Sequence, residues 1–153
     1  MEKNKRSELP FAKFHHIGVV VKDIDKAVEY YSSLGFGPFL TPRLKIKEGL
    51  QRGKSLMTKP VIKQAKVGGI TLELLQPTQD ESLAREFLES KGEGINHIGF
   101  SVDDIDTQAN KLVKKGFKVI FSQKFEQGGG CAYLNTDKVG GILIELFSHP
   151  LEF

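Results

Sequence analysis

The chain contains the same two blocks of sequence twice, and this repeat constrains its fold more than any other feature. The segment FHHIGVVVKDIDKAVEYYSSLGF, starting at Phe14, aligns without gaps on INHIGFSVDDIDTQANKLVKKGF, starting at Ile95. A second pair of blocks, GGITLELL from Gly68 and GGILIELF from Gly140, follows in each half. Because both halves carry the blocks in the same order, the chain is expected to fold as two copies of one unit.

Each half is predicted to contain one strand, one helix and three further strands. A β-rich run reaches Asp23 or Asp104, and an amphipathic segment then ends at Gly35 or Gly116, which is the order of strand, helix N-cap and C-terminal glycine. The pattern therefore predicts an α+β fold of two tandem βαβββ modules. The further strands are expected at residues 39–47, 61–67 and 70–75 and at residues 118–123, 131–136 and 142–147.

The domain organisation follows from the same repeat. We expect a single domain, 1–153, with modules at 14–77 and 95–150 and a linker helix within 78–94. The first half carries about nine extra residues between its two blocks, which we assign to the loop-like stretch 44–60. The glycine-rich residues 127–130 are expected to form a hairpin loop and not a nucleotide-binding loop.

Four residues at matching positions of the two modules stand out as candidate metal ligands. Strand side chains alternate between two faces, and this period puts His16 and His97 opposite the core side of their strands, with Glu73 and Glu145 opposite the core side of theirs. A buried acid is costly unless it is paired or bound to a metal. If these faces converge, the set suits zinc, cobalt, nickel or manganese. Taken singly, each residue would also fit the solvated face of a sheet.

Composition limits the function classes. The chain has a single cysteine, Cys131, no apolar leader and no apolar run long enough to cross a membrane, so we predict a soluble, cytoplasmic protein with an inert thiol. The net charge of +3 comes without a nucleic-acid motif, which favours a small anionic ligand over a polymer. Residues 43–66 hold eight basic residues and one acid, Glu48, and would either anchor ligand phosphates or form a solvated loop.

The segments HHIGVVVKDIDKAVEYY, GEGINHIGFSVDDID and GGILIELFSHP resemble the vicinal oxygen chelate superfamily, which includes glyoxalase I, bleomycin-resistance proteins and dioxygenases. Within it, the second and third segments are most similar to methylmalonyl-CoA epimerase. The resemblance implies a curved, cup-shaped mixed sheet with helices on the outside, and usually a homodimer. It also implies a divalent metal held by His16, Glu73, His97 and Glu145.

The implied activity is epimerisation of an acyl-CoA through an enolate, with Glu145 as a catalytic acid or base. Relatives supply a second acid from a strand of the first half, but residues 59–67 contain none. Two alternatives stay open. One is a glyoxalase I-like lyase acting on a glutathione hemithioacetal, which needs a single base. The other is a non-catalytic binder of a small molecule or antibiotic.

Overall fold

The two inner strands of the computed structural model carry the repeated HIG motif and lie side by side. The structure describes residue 11 and residues 13–78 and 81–148. β1 (Phe14–Val20) pairs antiparallel with β6 (Gly94–Ser101), so the modules meet along their first strands. Each inner strand then pairs in parallel with the last strand of its own module: β1 with β5 (Ile70–Gln76), and β6 with β9 (Leu143–Ser148).

The remaining strands extend this arrangement into one curved mixed sheet. Its order is β3-β2-β7-β8-β9-β6-β1-β5-β4. This is the predicted α+β fold with its cup-shaped sheet. The other strands are β2 (Ile46–Gln51), β3 (Lys54–Ser55), β4 (Val61–Val67), β7 (Val119–Phe125) and β8 (Gly130–Leu134).

One helix packs against the outer face of each half. α1 (Ile24–Ser33) begins at the N-cap Asp23 and α3 (Ile105–Val113) begins at the N-cap Asp104. In both helices the aspartate side chain accepts a hydrogen bond from a backbone N–H of the first turn, which satisfies a donor that the helix itself leaves free. The apolar faces of α1 and α3 cover separate core clusters around Leu74 and Leu146.

The linker helix is shorter than residues 78–94. α2 covers Leu83–Lys91, and its N-cap is Ser82, whose hydroxyl accepts from the N–H of Arg85. Residues 79–80 of the predicted linker and residues 149–150 of the predicted second module lie outside the described residues. We propose the division into modules 14–77 and 95–150 on the basis of the repeated strand and helix order. None of the helices in the described part of the chain has the length and hydropathy of a membrane span.

The stretch predicted as strand 39–47 and loop 44–60 folds differently. Residues 44–60 contain the hairpin of β2 and β3, and only Leu40 of the preceding segment makes a bridge, to Gln64. β2 pairs with β7 of the other half, an arrangement that local sequence does not encode. Residues 126–129 form the turn between β7 and β8, and Gly130 of the predicted loop 127–130 is the first residue of β8.

Candidate metal centre

His16 and His97 approach each other across two glycines. In the β1–β6 pair, His16 lies opposite Gly99, and His97 lies opposite Gly18. A Cβ at Gly18 would stand 2.0 Å from Cε1 of His97, and a Cβ at Gly99 would stand 2.0 Å from Cε1 of His16. Any larger residue would therefore overlap an imidazole ring. With glycine at both places, the two Nε2 atoms are 3.2 Å apart.

The two glutamates reach the same point from the parallel neighbours of these strands. Oε2 of Glu145 lies 2.7 Å from Nε2 of His16 and 3.1 Å from Nε2 of His97. Oε1 of Glu73 lies 3.5 Å from Nε2 of His97. All four side chains are buried, so water does little to screen their charges.

Three of the four predicted ligands form a compact group. Ligand atoms of His16, His97 and Glu145 all lie within 4.8 Å of one another. Glu73 lies at the margin of this group, and its Oε2 accepts a hydrogen bond of 2.5 Å from Nε2 of Gln64. The structure thus brings the four side chains together, and their role as metal ligands stays a prediction.

Each histidine has a polar neighbour behind it at a matching repeat position. Oδ1 of Asn96 lies 2.9 Å from Nδ1 of His97, and Nδ1 of His15 lies 2.9 Å from Nδ1 of His16. An amide oxygen only accepts, so Nδ1 of His97 carries the proton and donates it. This leaves Nε2 of His97 directed at the carboxylates, the arrangement that a metal-binding histidine needs.

Charges within the group outweigh the cost of burial. Burial lowers the pKa of an imidazole, but the hydrogen bonds and charges of Glu145 and Glu73 raise the pKa of His97 to about 9. Burial raises the pKa of a carboxyl, yet interactions with His16 and His97 hold the pKa of Glu145 well below its usual range. The pKa of Glu73 is lowered for the same reasons. Both carboxyls are therefore ionised at neutral pH, and the group attracts positive charge.

The donor set matches the chemistry of a first-row divalent cation. Imidazole nitrogen and carboxylate oxygen are standard ligands of zinc and its neighbours, and the two glycines leave space for the imidazoles to converge. The buried His-His-Glu group could therefore hold a metal ion. The donor atoms do not distinguish zinc from cobalt, nickel or manganese.

A small cavity of about 90 Å³ leads to this group, with His16, Glu73 and Glu145 in its wall. Much of the remaining wall is apolar, and it includes Phe121. Cys131 also lines the cavity and is buried, and burial raises the pKa of its thiol well above the usual value. The raised pKa keeps the thiol protonated at neutral pH, and its inertness stays a prediction.

Glu48 does not supply the missing acid. It lies on β2 opposite Lys124, whereas the next residue, Gly49, lies opposite Gln123, which lines the cavity. Successive residues of a strand point to opposite faces, so the exposed Glu48 side chain is directed away from the cavity. Among the described residues, Glu73 and Glu145 are the carboxylates in the cavity wall.

The basic residues of segment 43–66 are spread over several surfaces. Lys59 lines the cavity. Arg52 makes a bidentate ion pair with Glu86 on α2, with N–O distances of 2.7 and 2.9 Å. Lys63 donates a hydrogen bond to the hydroxyl of Thr41. Of these three residues, only Lys59 places its positive charge beside the cavity.

Sequence reasoning missed two side chains that face the glutamates. Gln64 lies opposite Glu73, and Tyr133 lies opposite Glu145. The Tyr133 hydroxyl is 3.5 Å from Nε2 of His97. Burial and the charge of Glu145 raise the pKa of this hydroxyl well above its usual value. The repeat offset does not align Gln64 with Tyr133, because the β4–β5 hairpin is shorter than the β8–β9 hairpin.

Comparison with known proteins agrees with this geometry. Residues 15–134 match the family model described as the glyoxalase/bleomycin resistance protein/dioxygenase superfamily. The chain belongs to this superfamily. The predicted resemblance to the vicinal oxygen chelate proteins is thereby confirmed, and the cup-shaped sheet is the fold that its structural neighbours share.

Relatives of this superfamily member include characterised and uncharacterised proteins. It is 26% identical to human mitochondrial methylmalonyl-CoA epimerase over 138 residues, covering 88% of this chain and 72% of the relative. It is 24% identical to the uncharacterised protein YqjC of Bacillus subtilis, over 88% of this chain and 90% of YqjC.

A solved structure of the superfamily is similar over nearly the whole chain. A variant of Streptomyces coelicolor methylmalonyl-CoA epimerase in complex with 2-nitronate-propionyl-CoA superposes with a TM-score of 0.71. It is 27% identical, and the alignment covers 90% of this chain and 97% of that one.

Proposed function

We propose that this chain is a metal-dependent isomerase that removes and returns the proton next to the carbonyl of an acyl-CoA thioester, as in the epimerisation of methylmalonyl-CoA. The observation that carries the proposal is a pair of buried carboxylates, Glu73 and Glu145, which both lie close to Nε2 of His97, at 3.5 and 3.1 Å. The similarity to methylmalonyl-CoA epimerases over most of the chain supports it.

His16, His97, Glu145 and Glu73 would hold the cation. A divalent cation bound there supplies Lewis acidity, which stabilises negative charge on a carbonyl oxygen. The histidines and their partners His15 and Asn96 keep the ligand atoms oriented. The cavity walls exclude water from the reacting carbon, which strengthens every electrostatic interaction inside.

Glu145 is the base that takes the α-proton. As the C–H bond breaks, its electron pair moves towards the carbonyl oxygen, and the proton passes to a carboxylate oxygen of Glu145. Inversion requires that a second group return a proton on the opposite face. Glu73 is the remaining carboxylate of the cavity among the described residues, and we assign this role to it.

Glu73 must carry a proton when it acts as the acid, although its pKa is low in the absence of substrate. A bound malonyl-type substrate brings a negative charge of its own, and a nearby like charge raises the pKa of a carboxyl. Substrate binding would therefore favour a proton on Glu73 once this carboxylate has left the cation, whose charge otherwise lowers the pKa of the carboxyl. In the reverse direction Glu73 takes the proton and Glu145 returns it.

The test is to incubate the cobalt-loaded protein with a single epimer of methylmalonyl-CoA in deuterated water. We expect deuterium at the α-carbon together with inversion. Glu73→Gln should retain exchange from the face next to Glu145 but lose inversion by about 100-fold, because one of the two proton carriers is gone. Glu48→Gln, a carboxylate on the other face of the sheet, should stay within about twofold of wild type.

The proposal would be contradicted if the metal-loaded wild type showed no deuterium exchange and no inversion. Binding of the ligand without turnover would favour the non-catalytic alternative.

A second candidate is supported by the position of Glu48 outside the cavity. If Glu145 works alone, one base suffices for a glyoxalase I-like conversion of a hemithioacetal, in which the proton leaves one carbon and returns to its neighbour. An assay with glutathione and methylglyoxal separates the two reactions. Under this candidate Glu73→Gln impairs metal binding only, and turnover returns to the wild-type rate at saturating metal.

A further inference from the structure

Tyr133 is held firmly beside the candidate metal centre. It lies on β8 directly opposite Glu145 and lines the cavity. Its ring packs edge-on against His97 and Phe121, with centroid separations of 5.0 and 5.3 Å. Contacts on two sides fix the ring, so the hydroxyl is directed at the group of ligands and not at solvent.

The hydroxyl of Tyr133 faces both Glu145 and His97, and a hydrogen bond to the Glu145 carboxylate is one of the causes that raise its pKa. Its distance of 3.5 Å from Nε2 of His97 is beyond the usual range for an O–H donor. By contrast Gln64, its counterpart in the first module, donates to Glu73 at 2.5 Å. When His97 binds a cation or carries a proton on Nε2, this nitrogen accepts no hydrogen bond from Tyr133.

Other hydroxyls of the cavity do not have this position. Thr58 and Ser82 also line it, but the Ser82 hydroxyl accepts from the N–H of Arg85 as a helix cap. The Tyr133 hydroxyl contacts Nε2 of His97. Tyr133 thus places an O–H group beside the candidate metal centre.

We propose that Tyr133 is a further catalytic residue, whose hydroxyl donates a hydrogen bond to the substrate oxygen that becomes negative when the α-proton leaves. This inference rests on the proposed function. The phenolic proton stays on Tyr133 throughout: the α C–H bond breaks, its electrons move to the carbonyl oxygen, and the proton goes to Glu145. The hydrogen bond strengthens as charge develops on that oxygen, which lowers the barrier and not merely the energy of substrate binding.

The test compares Tyr133→Phe with wild type by three measurements on the cobalt-loaded protein. Cobalt affinity should change by less than about threefold, since the variant retains every ligand. Affinity for acetohydroxamate, a small chelating anion, should fall about tenfold, because one hydrogen bond to a charged oxygen is lost. For α-deuterium exchange, kcat should fall about 100-fold while KM changes little.

Tyr31→Phe is the control for loss of a phenolic hydroxyl, because Tyr31 packs in the core cluster under α1. It should match wild type in all three measurements. Equal binding of acetohydroxamate by Tyr133→Phe and wild type would overturn the proposal. So would a parallel loss of cobalt affinity, which would show that Tyr133 supports the ligands instead. If wild type itself fails to exchange deuterium, the proposed function fails, and acetohydroxamate binding still decides whether Tyr133 stabilises a negative oxygen.

Discussion

The two modules are alike where they meet and different one strand further out. On the inner strands, each histidine lies across the glycine of the other module. On the outer strands, Glu73 is tied to the amide of Gln64, whereas Glu145 contacts both histidines and lies opposite Tyr133. The symmetric part assembles a ligand set, and the asymmetric part gives the two carboxylates different surroundings. Equal ligands can therefore have unequal chemical roles.

Substitution of the two inner glycines should give the largest effect and should affect both modules equally. In Gly18→Ala the new Cβ would overlap the His97 ring, and in Gly99→Ala it would overlap the His16 ring. Each variant should lose cobalt affinity by about 100-fold or more, since an imidazole ligand must swing away. Overpacking should also lower the free energy of unfolding by about 1–3 kcal/mol.

Gly69→Ala is the matched control, because a Cβ there meets no atom within 4 Å. Cobalt titration and urea unfolding measure both effects. A large loss for one inner glycine with wild-type behaviour of the other would disprove the symmetry of the inner strands.

The position of the candidate ligands was predictable from sequence because it depends on two simple regularities. The alternation of strand side chains and the repeat together put His16, His97, Glu73 and Glu145 on one face, and the structure brings them together. The repeat also contained the signal for Gly18 and Gly99, since both follow their histidines by two residues. Their role depends on the pairing of β1 with β6, which local sequence patterns do not specify.

The strands beyond β5 and β9, which carry Glu48, Gln64 and Tyr133, were harder to predict for a physical reason. The face of Glu48 depends on the pairing of β2 with β7 across the modules, and this pairing contains a register shift between Ile46 and Glu48. A shift of one residue moves a side chain to the other face. Tyr133 and Gln64 were missed because their registers opposite Glu145 and Glu73 are set by hairpins of different length.

The stability of the metal-free protein should depend on pH. This effect is intermediate in size among the predictions, and it distinguishes Glu145 from Glu73. The folded pKa of His97, about 9, exceeds the usual value of 6.5. Its contribution to stability is therefore complete below pH 6.5 and is lost as the pH rises through 9. The loss should be on the order of 1–3 kcal/mol. The hydrogen bond that His97 donates to Glu145 raises this pKa more than the one that it donates to Glu73.

Urea unfolding in the presence of a chelator, between pH 6 and 10, measures this dependence. Glu145→Gln should flatten the profile more than Glu73→Gln, because it removes the stronger partner of His97. Equal profiles for the two variants would contradict the unequal surroundings of the carboxylates. A rise in stability from pH 6.5 to 9 would contradict the charged state of His97 itself.

The smallest effect concerns the β2–β3 hairpin, which lies within residues 44–60, the stretch predicted to contain the insertion of the first module. Arg52 in the hairpin turn pairs with Glu86 on α2, and the pair lowers the pKa of Glu86 and raises that of Arg52. Both side chains are about half exposed, at 54% and 45%, so solvent screens the attraction. A double-mutant cycle of Arg52→Ala and Glu86→Ala should give a coupling of about 0.2–1 kcal/mol in urea unfolding.

The coupling should shrink at high salt, because ions screen exposed charges. Lys54→Ala, a basic residue of the same hairpin, serves as the control and should show no coupling to Glu86→Ala. A salt-independent coupling above about 2 kcal/mol would mean that the pair is desolvated and that α2 helps to hold the hairpin in place. The expected small value would instead mean that the ladder between β2 and β7 holds the hairpin and that the ion pair with α2 adds little.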